Sequence, residues 1–319
     1  MGTPTSSPLD RPRGSAFPLP WLVPILAVVG TLAFLITTPH GFLTKMDMVG
    51  YAVCHRIPSH SFAIAGHQLP LCARCTGTFI GTLVGFVGQA ALLRRRRAGE
   101  FPPAPILVIL AGFTLLWAAD GANSYLALIR GPHLYEPQNW LRLTTGALNG
   151  LTMSALVYPV FNFTLWRPPT SVGPHPTTVG PHPTTVGPHP TTVGPHPTTV
   201  GPHPTTVGPP LTERTIRNLG DLGLLVLLEA GLIGLLLTRW SFLLYPLALL
   251  SALGVLALLT TVNSMLVLII VRRENVAETW REAVVPLLAG FIVSLVQVGV
   301  IDIVRYMLTG TLSGIPPLG

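Results

Sequence analysis

The sequence contains very little charge: Asp, Glu, Lys and Arg make up 10% of its 319 residues, whereas ordinary soluble domains carry about 25%. Lysine occurs once, at Lys45, and the arginines cluster at the ends of apolar runs. This composition excludes an ordinary soluble domain, and the arginine pattern excludes a basic surface for nucleic acid. The mean hydropathy of +0.57 instead predicts an all-α polytopic membrane protein whose main partner is the lipid bilayer.

Common catalytic motifs are absent as well. There is no phosphate-binding glycine loop, no H-E-x-x-H, no G-x-S-x-G and no Rossmann fingerprint. Cysteine is scarce too, with three residues that all lie between positions 54 and 75. The sequence therefore indicates no common enzyme class, and whether the protein is an enzyme stays open.

Seven apolar runs have about the length needed to cross a bilayer, which takes roughly 20 helical residues. They cover residues 17–38, 76–93, 103–119, 143–165, 219–237, 242–271 and 283–308. We expect about seven transmembrane helices. Four belong to a membrane module (17–166) that follows an N-terminal tail (1–16), and three belong to a second module (219–319).

A linker (167–218) separates the two modules. Within it, residues 173–207 read GPHPTTV five times without a change. Two prolines per repeat and no apolar face predict an extended, solvated segment. Its five histidines could bind metal, but a tolerated tandem duplication is the favoured explanation; they are His175, His182, His189, His196 and His203.

The distribution of basic residues predicts the orientation. If the N-terminus is cytoplasmic, twelve Lys and Arg residues fall on the cytoplasmic side and seven on the other. The positive-inside rule favours that arrangement. The repeat linker is then cytoplasmic, and the cysteine-containing loop is extracytoplasmic. The loop from 120 to 142 must lie on the same face as the cysteine loop, because two spans separate them.

The cysteine loop reads CHRIPSHSFAIAGHQLPLCARC, from Cys54 to Cys75. A C-x-x-C pair lets Cys72 and Cys75 bind one tetrahedral ion, and a third cysteine with one histidine would complete a zinc site. Zinc or another transition metal is the expected cofactor. Cys54 and His55 compete as neighbours for one position, and His67 or His60 could supply another.

Other interpretations use the same residues. Cys75 lies at the start of a predicted helix beside Arg74, and both features lower the pKa of a thiol in redox-active C-x-x-C motifs. A thiol–disulfide redox protein, a structural disulfide, and a transporter with a purely structural motif therefore stay open. A c-type haem is disfavoured, because Thr76 stands where histidine is required.

The chain resembles a family of predicted bacterial and archaeal membrane proteins, domain of unknown function 2085, over about residues 51–150. The resemblance rests on two motifs: Cys54-His55-Arg56, Pro58, Ser61-Phe62, Gly66, residues 70–77 and Gly81 in the first, and Asp120-Gly121, Asn123, Asn139, Leu141-Arg142, Thr145-Gly146 and Gly150 in the second. It implies a prokaryotic plasma membrane but no activity. His60 stands where the family tends to have arginine, which makes His60 a weaker ligand candidate.

The two motifs are expected to meet. Small-xxx-small faces at Gly77 and Gly81 and at Gly146 and Gly150 allow membrane helices to approach closely. The polar residues of the second motif would then face the cysteine loop. Asp120 could form an ion pair with Arg74 or Arg142, orient a ligating histidine, or act as a general base. The supporting residues are Arg74, Asp120, Asn123, Asn139 and Arg142, and His133 is expected to be solvated.

A third set of polar residues lies within the later apolar runs. Glu229, Asn263 and Gln297 occur at hydrocarbon depth, where ionisable groups mark pathways or internal pairs. Glu229 is either a proton carrier or a protonated side chain packed against a neighbour. Asp302 and Arg305 are expected to pair near the interface.

Overall fold

The computed structural model describes residues 21–168 and 211–311. The N-terminal tail and the GPHPTTV repeat lie outside the described residues. Within the described ranges the regular structure is helical, apart from one hairpin of two two-residue strands and two isolated β-bridges, which confirms the predicted all-α polytopic membrane fold. The helices are α1 (Leu22–Thr37), α2 (Phe42–Val53), α3 (Ala73–Val87), α4 (Ala104–Leu128), α5 (Asn139–Leu165), α6 (Leu219–Leu237), α7 (Leu244–Ile270) and α8 (Trp280–Thr309).

The number of spans is not confirmed as seven. Five described helices are long and apolar enough to cross a membrane, namely α3 with its π-helical continuation to Leu92, α4, α6, α7 and α8. The pair α1–α2 raises the number to six if it counts as one broken span. The predicted fourth span lies within α5. This helix is less apolar than the other five because it contains polar residues, which are buried: Asn149, Thr152, Ser154 and Asn162.

The first predicted span (17–38) ends within one residue of the end of α1, and a bend and a second helix follow it. The chain bends by 107° between α1 and α2. Pro39 cannot continue a helix hydrogen-bond ladder, and Gly41 adopts a φ of 110° that favours glycine. Helix α2 was not predicted from the sequence, because Lys45 and Asp47 lower its hydropathy.

Helix α3 lies at the centre of the bundle, between α5 and α7. The glycine face of α3 packs directly on α5: a Cβ added at Gly77 would overlap the carbonyl oxygen of Leu143, and one at Gly81 would lie 2.6 Å from that of Ala147. Reciprocally, a Cβ at Gly146 would overlap the carbonyl oxygen of Arg74. The expected close approach of the two motif-bearing helices is therefore present.

One end of the bundle carries both motifs. The amide of Asn139, at the start of α5, donates to the carbonyl oxygens of Ser59 and Ser61 in the cysteine loop. The α6–α7 turn reaches the same loop, since the Arg239 guanidinium lies 5.3 Å from the centre of the Phe62 ring. The two motif loops therefore lie at the same end of the helix bundle, and their shared membrane face stays a prediction.

The opposite end is built from the α3–α4 loop and the residues that precede α6. Gly99 N–H donates to Leu211 O at 3.1 Å, and Arg95 pairs with Asp221 at 3.2 Å. Residues 211–218, assigned to the linker from sequence, thus pack against the bundle. The module boundaries stay a prediction. In the structure, α7 packs on α2 and α3, and α8 packs on α1 and α2.

We predict that Gly146→Ala and Gly77→Ala lower the free energy of unfolding by about 1–3 kcal/mol, as overpacking typically does. Gly112→Ala is the control, because a Cβ at Gly112 on α4 meets nothing within 4 Å. Thermal unfolding in detergent, followed by tryptophan fluorescence, measures the difference. Equal stability of all three variants would contradict the packing described.

Candidate metal centre

The three cysteines lie together although 18 residues separate Cys54 from Cys72 along the chain. Their Sγ atoms are all within 4.8 Å of one another, and in the described residues no other group of His, Cys, Asp and Glu has the geometry to hold a metal ion. All three thiols are free. Cys54 is buried, whereas Cys72 and Cys75 are half-buried.

The local sequence accounts for this meeting. Cys54 follows the last residue of α2, and Cys72 is the N-cap of α3, which places Cys75 in the first helical turn. Between them, β1 (Ala63–Ile64) pairs antiparallel with β2 (His67–Gln68). The turn residues Ala65 and Gly66 both have positive φ, as tight hairpin turns require. The hairpin therefore returns the chain and brings Cys72 back to Cys54.

Backbone N–H groups point at the Cys54 sulfur. Cys72 N–H lies 3.2 Å from Cys54 Sγ, and Arg56 N–H lies 3.4 Å from it. The neighbouring thiols of Cys72 and Cys75, together with these N–H groups, hold the pKa of Cys54 well below its ordinary value. The same contact with Cys54 raises the pKa of Cys72 to about 11. The site therefore stabilises one thiolate even without an ion.

The structure does not bring the candidate histidines into this group. His55 is exposed. His67 Nε2 instead lies 3.3 Å from an oxygen of the buried Asp47 carboxylate, which also pairs with Arg56 at 2.9 Å. His60 is half-buried, and burial lowers its pKa. Asp47 was not identified from the sequence, because it lies outside the predicted spans and outside both motifs.

Asp120 lies at the junction of the two motifs. It is 2% exposed and forms an ion pair with the Arg74 guanidinium. The Tyr135 hydroxyl donates to its other oxygen at 2.8 Å. Of the roles considered for Asp120, the ion pair with Arg74 is the one present in the structure.

The remaining polar residues of the second motif connect its loop to the residues of the first motif. Arg142 donates to Asn139 Oδ1 at 2.7 Å and to Ser124 Oγ at 3.3 Å. Arg74 also donates to Ser124 Oγ, at 2.9 Å, so this hydroxyl connects α3 with α5. Asn123 fixes the 131–138 loop by accepting from Leu134 N–H at 2.7 Å. The role of Ser124 was not predicted from the sequence, since a serine in an apolar helix does not by itself indicate a functional residue.

Comparison with known proteins finds matches to this part of the chain. The sequence model of a predicted membrane protein family, domain of unknown function 2085, matches residues 54–156. An uncharacterized protein of Methanothermobacter thermautotrophicus is 33% identical over 82 residues, which are 25% of this chain and 74% of that protein. The chain belongs to this family.

An uncharacterized protein of Methanocaldococcus jannaschii is 32% identical over 110 residues, or 34% of this chain. The match spans 64% of that relative's own length. No solved structure matches the chain. The family segment begins at Cys54 and ends within α5, so it contains both motif loops and the α3–α5 contact.

Arg305 reaches the site from outside the family segment. Its guanidinium donates to the carbonyl oxygen of Tyr51 and, at 2.8 Å, to that of Cys54. Carbonyl groups at a helix C-terminus lack helical partners, and a cation there is favourable. The expected pair of Asp302 with Arg305 is not among the ion pairs within 4.0 Å in the described residues, because these carbonyls bind the guanidinium instead.

Three arginines surround the cysteines: Arg56, Arg74 and Arg142 all contribute to the network around the cluster. Two of them are buried and one is half-buried. Arg56 and Arg74 are paired with Asp47 and Asp120, whereas Arg142 bonds only neutral groups and leaves one positive charge in excess. Chemically, the arrangement offers three soft sulfur donors at the boundary of an apolar bundle.

We predict that Asp120→Asn lowers the free energy of unfolding by about 2–4 kcal/mol, because it leaves the Arg74 charge without its partner. Glu136→Gln is the control: Glu136 pairs with His133 but is 84% exposed. Thermal unfolding of both variants in detergent provides the test. An unchanged Asp120→Asn protein would show that the ion pair does not hold the motifs together.

Proposed function

We propose that this family member is an integral membrane protein that binds a transition metal ion, zinc or a similar thiophilic ion, through Cys54, Cys72 and Cys75. The observation that carries the proposal is the meeting of three free thiols within 4.8 Å. Zn–S bonds of about 2.3 Å imply sulfur–sulfur distances of roughly 3.8 Å in a tetrahedral site. Small rotations of the cysteine side chains would reach that geometry.

Charge balance supports an ion at this position. Three thiolates and one divalent cation carry a net charge of −1. Arg56 and Arg74 are neutralised by Asp47 and Asp120, so Arg142, which bonds neutral groups, supplies the positive charge that offsets it. The N–H groups of Arg56 and Cys72 donate to the Cys54 sulfur, and such contacts hold metal ligands in place. The ion would tie the end of α2 to the start of α3.

The fourth coordination position distinguishes a structural site from a reactive one. Structural zinc sites are closed by four protein ligands, whereas catalytic sites keep one position open. His55 and His67 remain the candidates for a fourth ligand, and each would have to move toward the sulfurs. If neither binds, the open position is available to water or to a substrate.

Metal content tests the proposed cysteine site. We expect purified wild-type protein to contain about one equivalent of metal per chain. Cys72→Ser and Cys54→Ser should lose most of it, because two thiolates bind far more weakly than three. Elemental mass spectrometry measures this. Ser59→Ala, an exposed change in the same loop, is the matched control. Deleting residues 173–207 excludes adventitious binding by the repeat histidines.

The same assay with His55→Ala and His67→Ala identifies a fourth ligand. Acidification should release the ion from wild type, since protons compete for thiolates. A metal-free protein with a reducible Cys72–Cys75 disulfide would overturn the proposal in favour of a thiol–disulfide redox protein. Metal-free protein with three free thiols, whose Cys72→Ser variant folds and inserts normally, would favour a transporter or a structural motif.

We further propose that the cysteine end faces outward from a prokaryotic plasma membrane and that the repeat linker is cytoplasmic. Ten arginines belong to the opposite end of the bundle, in its loops and at its helix ends: Arg94, Arg95, Arg96, Arg97, Arg167, Arg214, Arg217, Arg272, Arg273 and Arg281. The positive-inside rule supports this orientation.

The variants Leu134→Cys and Glu274→Cys test this orientation. Leu134 is 94% exposed at the cysteine end, and Glu274 is exposed in the α7–α8 loop at the other. With an impermeant maleimide on intact cells, we expect labelling above the wild-type background at position 134 alone. Labelling at position 274 alone would reverse the orientation.

A further inference from the structure

Glu229 is a buried ionisable group that the metal proposal does not use. It lies near the middle of α6 and is 3% exposed. Neither carboxyl oxygen has a hydrogen-bond partner, and no ion pair of Glu229 is found within 4.0 Å in the described residues. Asp120 is equally buried but is held by Arg74 and Tyr135. Glu229 is thus a buried acid without the partners that a buried charge requires.

The Glu229 side chain lines a cavity between α3, α5 and α6. The cavity runs along α3 from Val84 to Thr76, the residue that follows Cys75, and Ala147 and Leu232 belong to its other walls. None of the other lining residues, from any of the three helices, has a titratable or charged side chain. Without a partner, a carboxylate here would pay a large desolvation penalty, so the carboxyl is neutral.

The cavity limits what Glu229 can bind. Its volume is about 10 Å³, which is close to the roughly 10–15 Å³ that one water molecule needs, whereas pockets for organic ligands hold about 300–1,000 Å³. A hard metal cation needs about six oxygen ligands, and the lining supplies almost none beyond the carboxyl group. A proton, accompanied by water, fits both the size and the chemistry.

We propose that Glu229 is a proton-binding site inside the membrane bundle, and that its proton exchanges through this cavity. In the exchange, the neutral carboxyl group passes its proton to a water molecule, so that its O–H bond breaks and hydronium forms. The carboxylate that results then takes a proton back from hydronium, which restores the neutral acid and water. The proposal is independent of the metal centre, so Glu229→Gln should retain its metal.

Infrared spectroscopy of the full-length protein tests the protonation. At neutral pH, wild type should show the carbonyl stretch of a protonated carboxylic acid, and Glu229→Gln should lose it. Asp302→Asn is the matched control, since Asp302 is also a buried acid within a spanning helix. Spectra of wild type and Glu229→Gln that agree in this region would overturn the proposal, because Glu229 would then be ionised.

Hydrogen–deuterium exchange tests the route. In D₂O the Glu229 band should shift, and Val84→Phe, which fills the cavity, should slow that shift severalfold. Val87→Phe is the control on the same helix, because Val87 is 55% exposed outside the cavity. A wild-type band that never shifts would show that the Glu229 proton does not exchange with solvent. Equal exchange rates in Val84→Phe and wild type would exclude the cavity as the route. Either result would contradict the proposal.

Discussion

The direct backbone contact of α3 with α5 is the constraint on which the cysteine end of this protein depends. Apolar side chains gain nothing from leaving lipid for a helix interface, so close packing must hold membrane helices together. Gly77 and Gly146 permit that packing because neither has a side chain to separate the backbones. Residues just before the contact on α3 and on α5 are thereby fixed side by side, and these residues are the C-x-x-C motif and Arg142.

Buried charge at this end of the bundle is tolerated because it is paired. Asp120 binds Arg74, Asp47 binds Arg56, and Arg142 is held by Asn139 and Ser124. This polar layer surrounds three thiols, which makes the end of the bundle suitable for a positive ion within its sulfur cluster. Glu229, deeper in the bundle, has no such layer. The contrast separates a site built for charge from one that holds a neutral acid.

Much of the fold could be predicted from the sequence, because long apolar runs, glycine spacing and arginine clusters are local signals. The positions of α3, α4 and α6 to α8 follow from them. Helix α2 could not be predicted, since Lys45 and Asp47 lower the mean hydropathy of its segment. At the site, the C-x-x-C motif identified Cys72 and Cys75. The role of Arg305 required the structure, because 251 residues separate it from Cys54, and the choice of Arg74 rather than Arg142 as the Asp120 partner depends on side-chain geometry.

The central claim is that the three cysteines, assembled by helix packing, form one metal site. X-ray absorption spectroscopy at the edge of the bound metal measures the ligand atoms directly. The account predicts a shell of three sulfur atoms at about 2.3 Å, the usual zinc–thiolate distance. A shell of nitrogen or oxygen atoms alone would contradict it, because the ion would then be bound without the cysteines.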